Sequence, residues 1–158
     1  MTTDNYTLAE NKGRAKLQKD YDKSPYEINY IFTQDKYDKI DSFATAYTPT
    51  GPKTYANEVK NRDIDVEDYW ELGFILEKTK YDALMEAYTN SGYSPNYVNY
   101  FKDARIVWDV STIEDVDNRW ITMDCTRTTA TNYREDVISK KVILLKPSEG
   151  KIRRYDVS

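Results

Sequence analysis

Apolar and polar positions alternate strictly at the start of the folded region. Tyr26, Ile28, Tyr30 and Phe32 point one way, and Glu27, Asn29 and Ile31 the other. Period two, carried by aromatic and β-branched residues, predicts a strand. From Asp35 the spacing changes. Tyr37, Ile40, Phe43, Ala44 and Tyr47 recur at helical intervals, Thr33 or Asp35 is placed to cap them, and Pro49, Gly51 and Pro52 end the segment. The same succession returns 44 positions later. Trp70, Leu72, Phe74 and Leu76 share one face of a predicted strand over 69–77. Tyr81, Leu84, Met85 and Tyr88 then mark a helix from about Thr79, which Gly92 stops. Glu27/Glu71, Ile31/Ile75, Lys36/Lys80, Tyr37/Tyr81 and Asp38/Asp82 are identical pairs at that offset.

The flanking segments are less regular. Residues 53–60 fit either a short strand or a short helix, and 61–63 a turn. Ser94-Pro95 has the form of a cap with proline in the first helical position, so 96–101 is predicted as a short helix. Beyond it Ile106, Trp108 and Val110 alternate, 119–129 and 136–146 form a strand pair, 147–150 a turn and 151–157 a last strand. At the N-terminus Thr7 and Glu10 form a capping box. The apolar positions that follow (Ala15, Leu17, Tyr21) are sparse and Gly13 weakens the helix, so 1–24 is expected to be a basic arm or frayed helix that Ser24-Pro25 ends. The order implies an α+β fold. A duplicated strand-helix unit, about 26–48 and 70–92, suggests a ferredoxin-like βαββαβ sandwich. A C-terminal antiparallel extension, about 104–157, completes a single domain over 25–158. In such a sandwich the sheet face away from the helices presents Glu27, Asn29, Ile31, Glu71, Gly73 and Ile75, either solvated, covered or binding.

A strand, a helix and then a helix from near Thr54 or Ser94 also resembles a duplicated ribbon-helix-helix unit over 26–102, by pattern and not by motif. That resemblance implies a ribbon entering the DNA major groove. The matching outward positions are Glu27, Asn29, Glu71 and Gly73, and carboxylates there repel phosphates, so DNA reading by this ribbon is not expected. The strand aromatics are similar to the stacking rings of an RRM platform, but they fall on the face assigned to the helices and no basic octapeptide accompanies them.

Composition narrows the chemistry. The 158 residues include no histidine and one cysteine, Cys125. Ser-His-Asp and Cys-His mechanisms are therefore closed, as is a structural zinc site, and no intramolecular disulfide can form. A mean hydropathy of -0.83 and the lack of a long apolar run leave no membrane span. No secretory pattern opens the chain, so synthesis and folding are expected in the reducing cytoplasm. The net charge of -4 argues against a generic nucleic-acid coat, but the charge is segregated. Lys12, Arg14, Lys16, Lys19 and Lys23 are basic, as is a C-terminal patch of Lys140, Lys141, Lys151, Arg153 and Arg154. Asp63, Asp65, Glu67, Asp68 and Glu71, then Glu114, Asp115 and Asp117, are acidic. Charge runs are usually solvated faces, yet this segregation also suits head-to-tail contact.

Asp63, Asp65 and Asp68 could offer oxygen ligands to a divalent cation, but the glycine and distal glutamate of an EF-hand are missing. Glu27 and Glu71 would be neighbours in a ferredoxin-like sheet and could share acid and base roles, or stand on a wet sheet face. Cys125, alternating with Met123 and Ile121, is expected to be an inert core thiol. No glycine-rich phosphate loop is present. The remaining signal is aromatic. Tyr88, Tyr93, Tyr97, Tyr100 and Phe101 cluster as interface candidates, since tyrosine brings area and a polar tip at low entropic loss. The expected function is a non-enzymatic interaction or assembly protein with a protein partner or self-association, no cofactor, no metal and no membrane. Its composition is that of a phage virion or mobile-element component. A nucleic-acid-associated module using the basic C-terminal region is the alternative, and a divalent-metal enzyme built on Asp and Glu a second.

Overall fold

The computed structural model describes residues 5–34, 39–70, 73–126 and 137–155. The chain begins with helix α1 (Asn5–Asp22), then builds a meander of β1 (Glu27–Phe32), β2 (Ser42–Thr48) and β3 (Gly51–Asn61). A crossover of α2 (Val66–Trp70), β4 (Phe74–Glu77) and α3 (Lys78–Ser91) leads to β5 (Ser94–Tyr100), which lies parallel to β3. β6 (Ala104–Asp109) pairs antiparallel with β5. β7 (Ile121–Thr126) and β8 (Val137–Leu145) form a hairpin, and β9 (Lys151–Arg154) closes the chain. The larger sheet has six strands in the order β1-β2-β3-β5-β6-β9, and the smaller has three in the order β4-β8-β7.

The central strands of the larger sheet are covered on both faces, which explains their residue pattern. On one face Ala56, Tyr97, Ile106 and Trp108 meet Phe74, Leu76, Leu84, Ile143 and Leu145 from α3 and the smaller sheet. On the other, Val59, Val98 and Tyr100 meet Leu17 of α1, with Tyr21, Phe32 and Val107 alongside. Burial of these apolar faces holds the layers together. α1 approaches β3 closely because Gly13 has no side chain; a Cβ there would lie 3.0 Å from Val59 Cγ1.

The α+β class is as the sequence indicates, and several elements match it: the strand at 27–32, the helix Lys78–Ser91, the alternation of β6, the hairpin β7/β8 and the final strand. Gly92 closes α3 in the left-handed region (φ 73), and its N–H donates to Tyr88 O at 3.0 Å. The duplicated layout is not what forms. Where a first helix was expected, Ser42–Thr48 is a strand; where one strand was expected, 69–77 divides between α2 and β4; and 94–100 is a strand, not a helix. The sheet is also larger than a ferredoxin-like one. The cause is burial on two sides. Strands covered on both faces carry apolar residues at consecutive positions, and Phe43-Ala44 or Tyr97-Val98 then imitate helical spacing. Where a basic arm or frayed helix is expected, Asn5–Asp22 is a helix with Leu17 buried. Lys36, Tyr37, Asp38 and Glu71 lie outside the described residues.

Gly150 gives the fold a sharp steric test. A Cβ there would lie 2.8 Å from Ile106 Cγ2 and 2.9 Å from Trp108 Nε1, both in the core. Its backbone (φ -112) suits any residue, so the conflict is purely one of space. Gly150→Ala is expected to destabilise by about 1–3 kcal/mol. A thermal melt checks this, and an unchanged midpoint would show that the turn into β9 yields freely.

Candidate binding groove

α1 covers only part of its sheet face. The helix ends at Asp22, and the chain turns back through Ser24-Pro25 into β1. Beyond that end the face stays open as a groove of about 780 Å³. Ala46, Tyr55, Val98 and Val107 contribute to its sheet wall, Leu17 and Tyr21 come from α1, and Tyr26 and Tyr155 are exposed lining residues. Strand register builds this lining. Ile28, Ala46 and Lys53 are successive partners across β1, β2 and β3, while Val98 pairs with Val107 and Arg105 with Arg153 across β5, β6 and β9.

Hydrogen bonds fix the phenols at the helix–sheet seam. Tyr100 Oη donates to Asp20 Oδ2 at 2.6 Å, and Arg105 Nη1 donates to the same oxygen at 2.6 Å. Tyr21 Oη accepts from Asn57 Nδ2 at 2.6 Å. Burial pushes the Tyr21 phenol up to about 12. Burial and the Asp20 carboxylate hold Tyr100 well above the usual phenol range. Both phenols therefore stay neutral and act as polar, uncharged walls. The charged lining is cationic: Lys23, Lys53, Arg105 and Arg153 face Asp20, which Arg105 already engages. Lys151 extends the basic strip, lining an adjoining cleft with Lys53 and Asn96. Aromatic rings with polar tips beside surplus positive charge suit an anionic, partly apolar partner surface.

The structure redistributes the residues singled out from sequence. Tyr97, Tyr100 and Phe101 are core residues with at most 1% exposure, so they offer no outer surface, although Tyr100 closes the inner end of the groove. They sit in or beside the central strand β5, covered on both faces. Tyr93 is half-buried against Phe43, ring centroids 5.3 Å apart, and Tyr88 is exposed on α3. Lys140 donates to Glu77 Oε1 at 2.8 Å, and Lys141 is exposed on β8. Arg154 lies 3.9 Å from Glu67. Of the basic C-terminal residues, Lys151 and Arg153 reach the groove region, whereas Lys140 and Lys141 belong to the smaller sheet. Glu27 and Asn29 are exposed on β1, with Asn29 Nδ2 3.4 Å from Tyr47 Oη. β1 and β4 lie in different sheets, so the two strands expected side by side are not adjacent. Asp63 turns to Asn61 at 3.0 Å and Lys12 at 3.6 Å. Among the described residues no three Asp, Glu, Cys or His side chains converge. The Cys125 side chain lies outside the described residues.

Sequence reading missed Tyr21, Tyr26, Tyr55, Tyr155, Lys53 and Arg105 as one group. They come from separate elements and meet only through sheet register, which no local window carries. No family model matches the chain, and no curated protein or solved structure matches it either. Among the described residues no helix is long and apolar enough to cross a membrane.

Proposed function

We propose that this protein is a non-enzymatic assembly subunit that associates head to tail, the acidic turn of one copy entering the tyrosine-lined groove of the next. The observation that supports this most directly is the placement of the basic groove and the acidic turn on opposite sides of the central sheet. The groove lies on the α1 side. Glu114, Asp115 and Asp117 are exposed on a turn rooted on the other side, where Ile113 and Val116 join the core under α3. The turn is firmly held. Arg119 makes a bidentate pair with Glu149 at 2.5 and 3.0 Å and donates to Leu144 O at 2.9 Å. Bidentate charge-assisted bonds of this kind fix geometry as well as adding energy.

Two complementary surfaces on opposite faces cannot meet within one copy. Between copies they form a heterologous contact, which closes into a ring or grows into a filament. The carboxylates would meet Lys23, Lys53 and Arg153, and the tyrosines would supply contact area. A virion or mobile-element setting, with synthesis in the cytoplasm, is the corresponding biological proposal and rests on composition.

Light scattering coupled to size-exclusion chromatography at low and high salt tests the reading. Oligomers that shorten as salt rises are expected. Lys53→Glu with Arg153→Glu, and separately Glu114→Lys with Asp117→Lys, should each give monomers, and mixing the two variants should restore association. A wild-type monomer at every concentration and salt would overturn the proposal. In that event, salt-sensitive capture of single-stranded nucleic acid by the same groove would move the assignment to that partner.

A further inference from the structure

We infer that a second, smaller cleft at the carboxyl end of β3 is a binding site for a small tetrahedral oxyanion of the phosphate class. It is independent of the head-to-tail reading and lies on the opposite side of the sheet from the groove. β3 and the residue after it deliver Lys60 and Arg62, two positions apart and so on one side of the strand. α3 contributes Lys80, and Tyr97 of β5 and Tyr69 of α2 complete the wall. The volume is about 130 Å³. At roughly 30 Å³ per water, that is room for a few waters or one compact anion.

The donors are already oriented. Arg62 Nε donates to Asn99 Oδ1 at 3.2 Å and its Nη2 to Tyr97 Oη at 3.3 Å, while its guanidinium lies 5.1 Å from the Tyr69 ring centre. Tyr97 Oη in turn donates to Ile75 O at 2.8 Å, which locks the phenol that holds the arginine. A planar guanidinium fixed in this way suits the forked recognition of an oxyanion.

The cations outnumber the carboxyl groups around them. Glu77 lines the cleft and accepts from Lys140 at 2.8 Å, and its charge also meets Lys60 and Lys80. Glu58, 2% exposed, faces Lys80 at 3.5 Å and Lys60 at 3.9 Å. Asp41 approaches it from before β2, itself accepting from Arg14 at 3.3 Å and from the Val59 N–H at 2.8 Å. Burial and the Asp41 charge raise Glu58 to about 8, so near neutrality it is mostly a neutral acid. Asn99, which accepts from the cleft residue Arg62, keeps its Nδ2 buried without a hydrogen-bond partner among the described residues. An unmet buried N–H donor next to clustered cations is the condition a bound anion relieves.

Calorimetric titration with sodium sulfate, whose charge is constant over the range, and with inorganic phosphate tests the site. Saturable binding at pH 6.5 is expected, weakening at least tenfold by pH 9 as Glu58 ionises and competes for Lys60 and Lys80. Glu58→Gln should bind equally at both pH values. Lys80→Met and Arg62→Lys should each weaken binding at least tenfold without shifting the far-ultraviolet dichroism spectrum. A phosphomonoester titrated in parallel separates a site for free ion from one for a phosphorylated ligand; binding of either supports the site. Heats no larger than those of sodium chloride at equal ionic strength, or binding unchanged in both Lys80→Met and Arg62→Lys, would overturn it.

Discussion

Trp108→Ala is expected to lower stability by about 3–5 kcal/mol, the range for removing a large buried aromatic ring. Trp108 is fully buried and lies where the two sheets meet. Its ring centroid is 5.1 Å from that of Phe74 in β4 and 5.9 Å from that of Tyr97 in β5, and its Nε1 donates to Lys146 O at 3.0 Å. Truncation therefore opens a cavity on both sides of the interface and leaves a backbone carbonyl unsatisfied. Trp108→Phe separates the two effects. It keeps a ring but loses the donor, so the residual loss should be about 1–3 kcal/mol. Urea unfolding followed by circular dichroism measures both. A loss below about 1 kcal/mol for the alanine variant would mean that the smaller sheet does not dock through this residue.

The ease of reading each element from sequence depends on how many faces it buries. β6 is legible because Ala104, Ile106 and Trp108 enter the principal core while Arg105 and Asp109 remain polar, so a single alternation survives. α3 is legible because Leu84 and its helical neighbours face one core and Gly92 stops the helix. β2 and β5 are misread for the opposite reason. Ala44 and Ala46 face α1 while Phe43 faces α3, and Tyr97 and Val98 divide in the same way, so two overlaid period-two patterns yield apolar runs that also satisfy a helix. The Ser94-Pro95 pair misleads as a helix start, since Pro95 instead opens a strand in parallel register with Ala56. Gly13, a liability by helix propensity, proves to be a contact residue, which only the α1–β3 packing reveals.

The candidate sites show the same division. The acidic turn at 114–117 is a local feature and visible in sequence. The groove depends on which strands neighbour one another, because Arg105 and Arg153 are distant in the chain and paired in the sheet. Glu58 is the extreme case. It lies in the ambiguous stretch 53–60 among ordinary polar residues, and nothing local distinguishes it from Lys60 or Lys53. Its burial comes from α3 and β5 closing over β3.

Glu58 should give the protein an unusual stability profile in which stability falls as pH rises from about 5 to 8. The carboxyl titrates near its ordinary value of 4.5 when the chain is unfolded and at about 8 when folded. Between those values the folded state holds a proton that the unfolded state has released, so every increase in pH favours unfolding. The contribution is fully present below the unfolded pKa and is lost as pH passes through the folded one. A rise of this size corresponds to a loss on the order of 3–5 kcal/mol across the window. Glu77 and Glu149 act in the opposite direction. For Glu77 burial pushes upward but is outweighed by the Lys140 hydrogen bond together with the charges of Lys140, Lys60 and Lys80, and for Glu149 the Arg119 hydrogen bond leads; both carboxyls are held below their ordinary value. Their stabilisation is gained as pH rises towards the ordinary carboxylate range and is complete by about pH 5. The chain has no histidine to add a competing transition above that point. Glu58→Gln keeps the size and polarity of the side chain without the titration. Its stability should therefore be nearly flat from pH 5 to 8, and it should exceed that of the wild type at pH 8.5. Guanidinium unfolding at a series of pH values measures the difference between the two proteins, which cancels every other titrating group. Parallel profiles would show that the carboxyl ionises freely in the folded state, and with it would fall the claim that burial beside Asp41 keeps Glu58 neutral.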